Sequence, residues 1–389
     1  MIPYGRQDIN QDDLDAVRDV LTSDFLTQGP RVPAFEQVVA QAVEAAHGVA
    51  ANSATSALHI ACMALGLGPG DWLWTVPNTF VASANVGIYC GAQVDFVDID
   101  PESFNMCPDA LAAKLEEADK AGTLPKVLIP VHMTGQSADM ERIGPLAKRY
   151  GVRVIEDASH AIGARFADAP VGRCVHSDIT VFSFHPVKIV TTAEGGMAVT
   201  QDAELAARMK RAASHGITRD PDLMTHASHG PWYYQQIELG YNYRMTEMQA
   251  ALGISQMQRL SDYVDRRAAH ARAYDVALAD LPLDLPVQDA RSRSSWHLYV
   301  IRLQLDRIGL SHRAVFEALR SVGLGVNLHY IPVHLQPFWR QFGFGEGDFP
   351  NAESYYARAI SIPLFATMTE AQRDEVCAVL RRVLSTSDN

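Results

Sequence analysis

Three segments of the chain carry residues whose types and spacing suit chemistry. In Val181-Phe182-Ser183-Phe184-His185-Pro186-Val187-Lys188, followed by Ile189 to Met197 with Glu194-Gly195-Gly196, a lysine stands between two apolar stretches. Poor solvation there favours the neutral, nucleophilic amine that imine chemistry requires. The alternative is a lysine that extends its ammonium to water. In Val154-Ile155-Glu156-Asp157-Ala158-Ser159-His160 an apolar run leads straight into an acid. At the ligand edge of a sheet that acid can pair with a cationic ring nitrogen or a metal; alone it can equally cap a loop. The order Asp157, Ser159, His160 also invites a hydrolase reading, but Ser159 lacks the G-x-S-x-G elbow. In Asn52-Ser53-Ala54-Thr55-Ser56-Ala57-Leu58-His59 small hydroxyl residues precede an apolar helix. Free N–H groups at the positive end of the helix dipole suit a phosphate, and an ordinary Ser/Thr N-cap is the alternative. No Gly-Lys-Ser/Thr follows, so this is not a Walker loop.

A phosphate turn, an acid at a strand end and a desolvated amine together make up the protein groups that pyridoxal 5′-phosphate needs, a Schiff-base lysine and a carboxylate on its pyridinium nitrogen. The elements that must position them alternate short apolar runs with helical periods, the βαβ signature. Strands are predicted at Leu73 to Val76, Val94 to Val97, Lys126 to Val131, Arg153 to Glu156, Ile179 to Phe184 and Gly196 to Thr200. Helices are predicted at Gln11 to Thr22, Ser56 to Leu67, Pro108 to Ala121 and Met140 to Tyr150. This pattern gives an α/β fold with a mostly parallel sheet whose ligands lie beyond the carboxyl ends of its strands. A long helix is expected from Thr246 to about Leu278, then a Pro-rich linker from Leu281 to Ser295. A smaller α/β unit follows, with strands at His297 to Leu303 and near Val326 to Ile331, and helices at His312 to Val322, Ala352 to Ala359 and Thr369 to Leu384. The division expected is a large domain over 1–255 and a small C-terminal domain over 256–389.

The 389 residues carry 33 Lys plus Arg against 45 Asp plus Glu, a net charge of −12, which argues against a nucleic-acid binder. With 48% hydrophobic and 20% charged residues the composition is that of a globular protein. Five cysteines without a C-x-x-C pair give no support to a disulfide framework or thiolate zinc site. From Ala45 to Val94 the one charged residue is Asp71, yet Pro69, Gly70, Pro77, Asn78, Asn85 and Gly91 interrupt the run, so a buried core segment is expected rather than a membrane span. No basic start with an apolar run opens the chain, and the cytoplasm is the expected location.

The order of motifs resembles that of the StrS/DegT-type sugar-nucleotide aminotransferases, which are fold-type-I pyridoxal-phosphate enzymes of aspartate-aminotransferase-like architecture. The likeness runs through Leu26-Thr27-Gln28-Gly29, Asn52 to Ala57, Glu156-Asp157 with His160, Ser183-Phe184-His185 with Lys188, Glu194-Gly195-Gly196, Ser214-His215-Gly216, Gly240 to Met245, His329-Tyr330 with His334, and Ser361-Ile362-Pro363-Leu364. Phe184 to Lys188, Gly230 to Tyr234 and Leu239 to Met245 look most like one branch, the UDP-4-amino-4,6-dideoxy-N-acetyl-β-L-altrosamine transaminases of pseudaminic acid synthesis. Ala193 stands where glycine is common in the family, and His160 where many relatives carry Gln.

The resemblance implies that Lys188 is the Schiff-base lysine and that Asp157 keeps the pyridine nitrogen protonated. Phe80 would stack on the ring, Ala54, Thr55 and Ser183 would bind the phosphate, and His160 would hydrogen-bond near the phenolic oxygen. Asn242 would reach the phosphate held by a neighbouring subunit, making a homodimer with shared sites. Substrate contacts would come from His329 and Tyr330; separately, a chain of net charge −12 that binds a dianionic sugar nucleotide must concentrate positive charge locally, and Arg244 is a candidate for it. The implied reaction passes an amino group from L-glutamate, released as 2-oxoglutarate, through pyridoxamine 5′-phosphate to a UDP-linked 4-keto-6-deoxy-N-acetylhexosamine. The alternatives are a bacillosamine- or perosamine-type nucleotide sugar, and a cofactor-binding sensor without turnover. Relatives that dehydrate replace the lysine with histidine, which Lys188 argues against.

Other constellations point less far. His329 and His334 lack a nearby acidic or cysteine partner for zinc. Thr218 to Tyr234 reads as a long loop, closing over a nucleotide or simply solvated. Trp72, Trp74, Met245, Met248 and Met257 are expected in the core.

Overall fold

In the computed structural model, which describes residues 1–385, a seven-stranded sheet organises the larger part of the chain. Its strands are β1 (His47–Ala51), β2 (Trp72–Thr75), β3 (Gln93–Phe96), β4 (Val127–Ile129), β5 (Arg153–Asp157), β6 (Ile179–Ser183) and β7 (Gly196–Thr200). Their order across the sheet is β1-β7-β6-β5-β4-β2-β3. Neighbours from β3 through β6 pair in parallel, while β7 runs antiparallel to both β1 and β6. Helices cover the sheet, so β6 and β7 are buried along their whole length and are mostly apolar.

Those helices include α1 (Gln11–Leu21), α2 (Arg31–Ala42), α3 (Ala54–Ala64), α4 (Ala82–Tyr89), α5 (Pro108–Ala121), α6 (Met140–Arg149) and α7 (Ala203–Ala213). Local signals set their ends. Pro108 opens α5 and left-handed Gly122 closes it, and Asn10 with Asp13 forms a capping box on α1. Trp74, Met245 and Met257 are buried, as expected. The weakly charged stretch from residue 45 to 94 resolves into β1, α3, β2, α4 and the start of β3, and no helix among the described residues is long and apolar enough to cross a membrane.

The expected helix from Thr246 to Leu278 is two helices, α8 (Glu247–Met257) and α9 (Leu260–Leu278), broken at Gln258-Arg259. At the break the Arg259 guanidinium reaches Asp13 at 2.7 Å and the Tyr263 hydroxyl at 2.7 Å, tying α1 to the junction. Beyond it a second core forms on β8 (Leu283–Asp284), β9 (Tyr299–Leu303) and β10 (Ala359–Ile362), packed by the end of α9, α10 (His312–Ser321) and α11 (Glu370–Ser385). The presumed linker at Leu281 to Ser295 is partly strand: β8 joins this sheet, and Ser292–Arg293 pairs with Arg165–Phe166. The strand expected near Val326 to Ile331 is absent. Only Leu324–Gly325 pairs, with Ile2–Pro3, and after a single bridge from Asn327 to Ser361 the chain supplies residues 327–330 to the edge of the large sheet's cavity.

Candidate active site

A cavity of about 1040 Å³ opens at the carboxyl ends of the parallel strands. Asp157 terminates β5, Ser183 terminates β6, and Thr79-Phe80 follow β2; α3 begins just after β1. The sequence alternation therefore delivers all three chemical segments to one edge of the sheet.

Lys188 lies on the connection between β6 and β7. The Lys188 N–H donates to the His185 carbonyl at 2.9 Å, and Thr192 N–H returns to the Phe184 carbonyl at 2.9 Å, which folds the connection back onto the sheet. The amine is half-buried and lines the cavity. Loss of water around it pushes its pKa down to about 8, with the Asp157 charge opposing the shift. Asp157 is buried, its Oδ2 accepting from the Ser83 hydroxyl at 2.6 Å and its Oδ1 from Ser159 N–H at 3.1 Å. The preceding Glu156 points elsewhere and pairs with His132 at 2.6 Å. Burial raises its carboxyl, but hydrogen bonds from His132, Ser177 and Thr180 outweigh this and hold it low.

The turn before α3 is held by Ser53, whose hydroxyl accepts from Ser56 N–H at 3.1 Å, while Ser56 donates to Asn52 Oδ1 at 2.7 Å. Ser53, Ala54 and Thr55 line the cavity, with the unpaired first-turn N–H groups of the helix among them. Glycine at position 196 is a steric requirement here. A Cβ on it would meet the Ser53 carbonyl oxygen at 2.4 Å and the Ala54 nitrogen at 2.6 Å.

The opposite wall is aromatic. His160 Nε2 lies 3.1 Å from the Tyr330 hydroxyl, and His329 Nδ1 lies 2.8 Å from Ser361 Oγ. The His297 ring sits 4.4 Å from that of His160. Burial, reinforced by the nearby Lys188 charge, pushes His329 down to about 3 and His160 well below the usual histidine range, so both imidazoles are neutral. His160 Nδ1 and His297 Nδ1 are buried without partners. Phe80 leaves 58% of its surface uncovered beside the cavity, and its ring centre is 6.1 Å from that of Tyr330.

The structure thus gathers Ala54, Thr55, Phe80, Asp157, His160, Ser183, Lys188, His329 and Tyr330 around one cavity. It does not bring Asn242 and Arg244 there. Asn242 is exposed beside Ser214, and Arg244 donates to Ser214 Oγ at 3.1 Å while lining a smaller, separate pocket of about 280 Å³. His334 turns away to bond Glu353 at 2.9 Å. The Thr218 to Tyr234 loop spans a short hairpin, Ile217–Thr218 with Gln235–Gln236, and leaves Trp232 exposed. Ser83, Tyr4 and His297 also line the cavity, and sequence reasoning missed all three. The one available signal was a hydroxyl inside the otherwise apolar run Val81-Ala82-Ser83-Ala84.

Comparison with known proteins places this geometry. Residues 7–381 match the DegT/DnrJ/EryC1/StrS aminotransferase family. The spore coat polysaccharide biosynthesis protein SpsC of Bacillus subtilis is 38% identical, over 100% of this chain and 98% of its own. Helicobacter pylori PseC, an aminotransferase involved in the biosynthesis of pseudoaminic acid, superposes with a TM-score of 0.90 at 28% identity, covering 99% of both chains. Spr1654 of Streptococcus pneumoniae, solved in its PMP form, has a TM-score of 0.90 at 27% identity, covering 100% of both chains. The cofactor of this fold and family, pyridoxal 5′-phosphate, fits the residues present: a desolvated amine, a buried carboxylate, a helix N-terminus that a Cβ at Gly196 would displace, and an imidazole with an orphaned nitrogen. With 7–381 matched and the 38% relative covered end to end, the chain belongs to the DegT/DnrJ/EryC1/StrS family and is a pyridoxal-phosphate-dependent sugar aminotransferase.

Proposed function

We propose that the chain is a homodimeric, cytoplasmic 4-aminotransferase that converts a UDP-linked 4-keto-6-deoxy-N-acetylhexosamine to its 4-amino sugar with L-glutamate as donor, on a route to pseudaminic acid. The observation that carries the reading is the lining of the cavity. Among the described residues Lys188 is its one Lys or Arg, and the wall facing it is imidazole, phenol and amide from His160, His297, His329, Tyr330 and Asn327, groups that hydrogen-bond the hydroxyls and carbonyl of a sugar. The likeness to Helicobacter pylori PseC supports the same substrate class. Residues 1–255 form the cofactor-binding domain in this reading and 256–389 the small domain.

When bound, pyridoxal phosphate supplies the electron sink that lets a carbon beside an amino group lose and regain its proton. Lys188 Nζ would hold the cofactor and would take up and return that proton; an amine near 8 suits both tasks close to neutral pH. Asp157 would accept from the ring nitrogen. Ala54, Thr55 and Ser183 would hold the phosphate, Phe80 would cover the ring face, and His160 would hydrogen-bond near the phenolic oxygen. His329 and Tyr330 orient the sugar. Asn242 and Arg244 lie outside their own chain's cavity, which suits a role across a two-fold interface, the first at the phosphate and the second at the substrate. Five free thiols suit a reducing compartment.

A second reading is the same reaction on a different nucleotide sugar, because the 38% identical relative SpsC serves spore coat polysaccharide biosynthesis. The experiment is turnover of the holoenzyme with L-glutamate and a panel of 4-keto sugar nucleotides, scored by 2-oxoglutarate release and the mass of the product. Turnover of the UDP-linked 4-keto-6-deoxy-N-acetylhexosamine above all others is expected. Preference for another nucleotide sugar would overturn the substrate assignment in favour of the second reading.

A further inference from the structure

The backbone of Asp157 is fixed by the sheet: its N–H donates to the Pro130 carbonyl at 2.9 Å and its carbonyl accepts from His132 N–H at 3.0 Å. The side chain is held separately. One oxygen accepts from Ser159 N–H, two residues along the chain, and the other from Ser83, which arrives from the first turn of α4, 74 residues away in sequence. Ser83 is wholly buried. Its other side-chain partner among the described residues is the Thr79 hydroxyl, at 3.0 Å and also buried.

Counting protons sets the direction of this chain of bonds. A carboxylate oxygen only accepts, so the single Ser83 proton points at Asp157 Oδ2, and the Thr79 proton must then point at Ser83 Oγ. Each donor in such a series polarises the next. Ser83 N–H also donates to the Phe80 carbonyl at 3.3 Å, so the same residue ties the loop that carries the exposed ring. A helix over Ala82–Tyr89 gains nothing locally from serine at that position, where alanine is the better helix former.

We infer that Ser83, backed by Thr79, is a positioning residue for the cofactor: the two hydroxyls fix the Asp157 carboxylate in the rotamer that meets the ring nitrogen. The inference rests on the cofactor-binding roles given to Asp157 and Lys188 above. In this role Ser83 acts through Asp157.

The test compares Ser83→Ala, Ser83→Thr and Thr79→Val with wild type, by titrating cofactor-free protein with pyridoxal 5′-phosphate and by following the visible absorbance of each loaded protein against pH. Loss of a charge-assisted hydrogen bond predicts about tenfold weaker cofactor binding in Ser83→Ala. The pH at which the visible band titrates is expected to move in that variant and to return toward wild type in Ser83→Thr, with Thr79→Val between them. Melting of the cofactor-free proteins is recorded in parallel. Ser83→Ala with wild-type affinity and an unmoved pH titration overturns the inference, as does an affinity loss matched by a fall in cofactor-free stability with the titration unmoved. Wild-type protein that takes up no cofactor at all overturns instead the site reading on which the inference rests.

Discussion

Replacing Gly196 by alanine should damage the proposed phosphate end of the site while leaving Lys188 and Asp157 in place. The new Cβ would lie 2.4 Å from the Ser53 carbonyl oxygen, 2.6 Å from the Ala54 nitrogen and 2.6 Å from the Ser53 carbonyl carbon, all backbone atoms. The strand cannot retreat, because Gly196 is paired with Ala51 on one side and Ser183 on the other. The start of α3 must therefore move, by roughly 1 Å to restore ordinary contact at 3.4 Å. Overpacking of this kind costs about 1–3 kcal/mol of stability. A 1 Å shift of N–H groups from a charged acceptor forfeits a hydrogen bond worth about 1.5–3 kcal/mol, which is roughly ten- to a hundredfold in cofactor affinity. Titration of cofactor-free protein with pyridoxal phosphate, beside urea unfolding, measures both. Gly68→Ala is the control, since a Cβ there meets nothing within 4 Å. Gly196→Ala binding within twofold of wild type at undiminished stability would refute the reasoning.

Three further outcomes are expected. Cofactor capture by the apoprotein should quicken about tenfold from pH 7 to a plateau near pH 9, because capture by the proposed site needs neutral Lys188 Nζ; a rate still climbing at pH 10 in rapid-mixing absorbance would contradict the depressed pKa. Ala193 sits at φ 65°, a left-handed conformation that glycine adopts freely, so Ala193→Gly should stabilise the fold by about 0.5 kcal/mol in urea unfolding, and a loss of stability would count against the strain. If Asn242 serves the other subunit's site, mixing inactive Lys188→Ala with impaired Asn242→Ala should restore part of the activity through hybrid dimers; no recovery despite demonstrated exchange would confine each site to one chain.

Six of the seven strands of the large sheet were legible because burial against covering helices demands mostly apolar runs, and β7 (Gly196–Thr200) and α5 (Pro108–Ala121) begin and end where pattern and capping residues put them. β1 escaped notice because His47-Gly48-Val49-Ala50-Ala51 holds one β-branched residue; it is a strand because β7 lies beside it. The helical period runs unbroken across Gln258-Arg259, so only the distant Asp13 reveals the break there. Residues 326–331 have strand-like composition, but 327–330 serve as cavity wall. In the site, Lys188 and Asp157 announced themselves, an amine among apolar residues and an acid at a strand end. Ser83, Tyr4 and His297 did not, since their neighbours in sequence say nothing about the sheet edge to which the fold carries them.

The most direct measurement of the central claim is the visible absorbance of purified protein loaded with pyridoxal phosphate, before and after L-glutamate, with Lys188→Ala alongside. The account predicts a yellow protein whose colour gives way to near-ultraviolet absorbance as 2-oxoglutarate appears, and a Lys188→Ala protein that folds but cannot complete the exchange. A wild-type protein that pyridoxal phosphate cannot colour, or a Lys188→Ala variant with wild-type turnover, would contradict it.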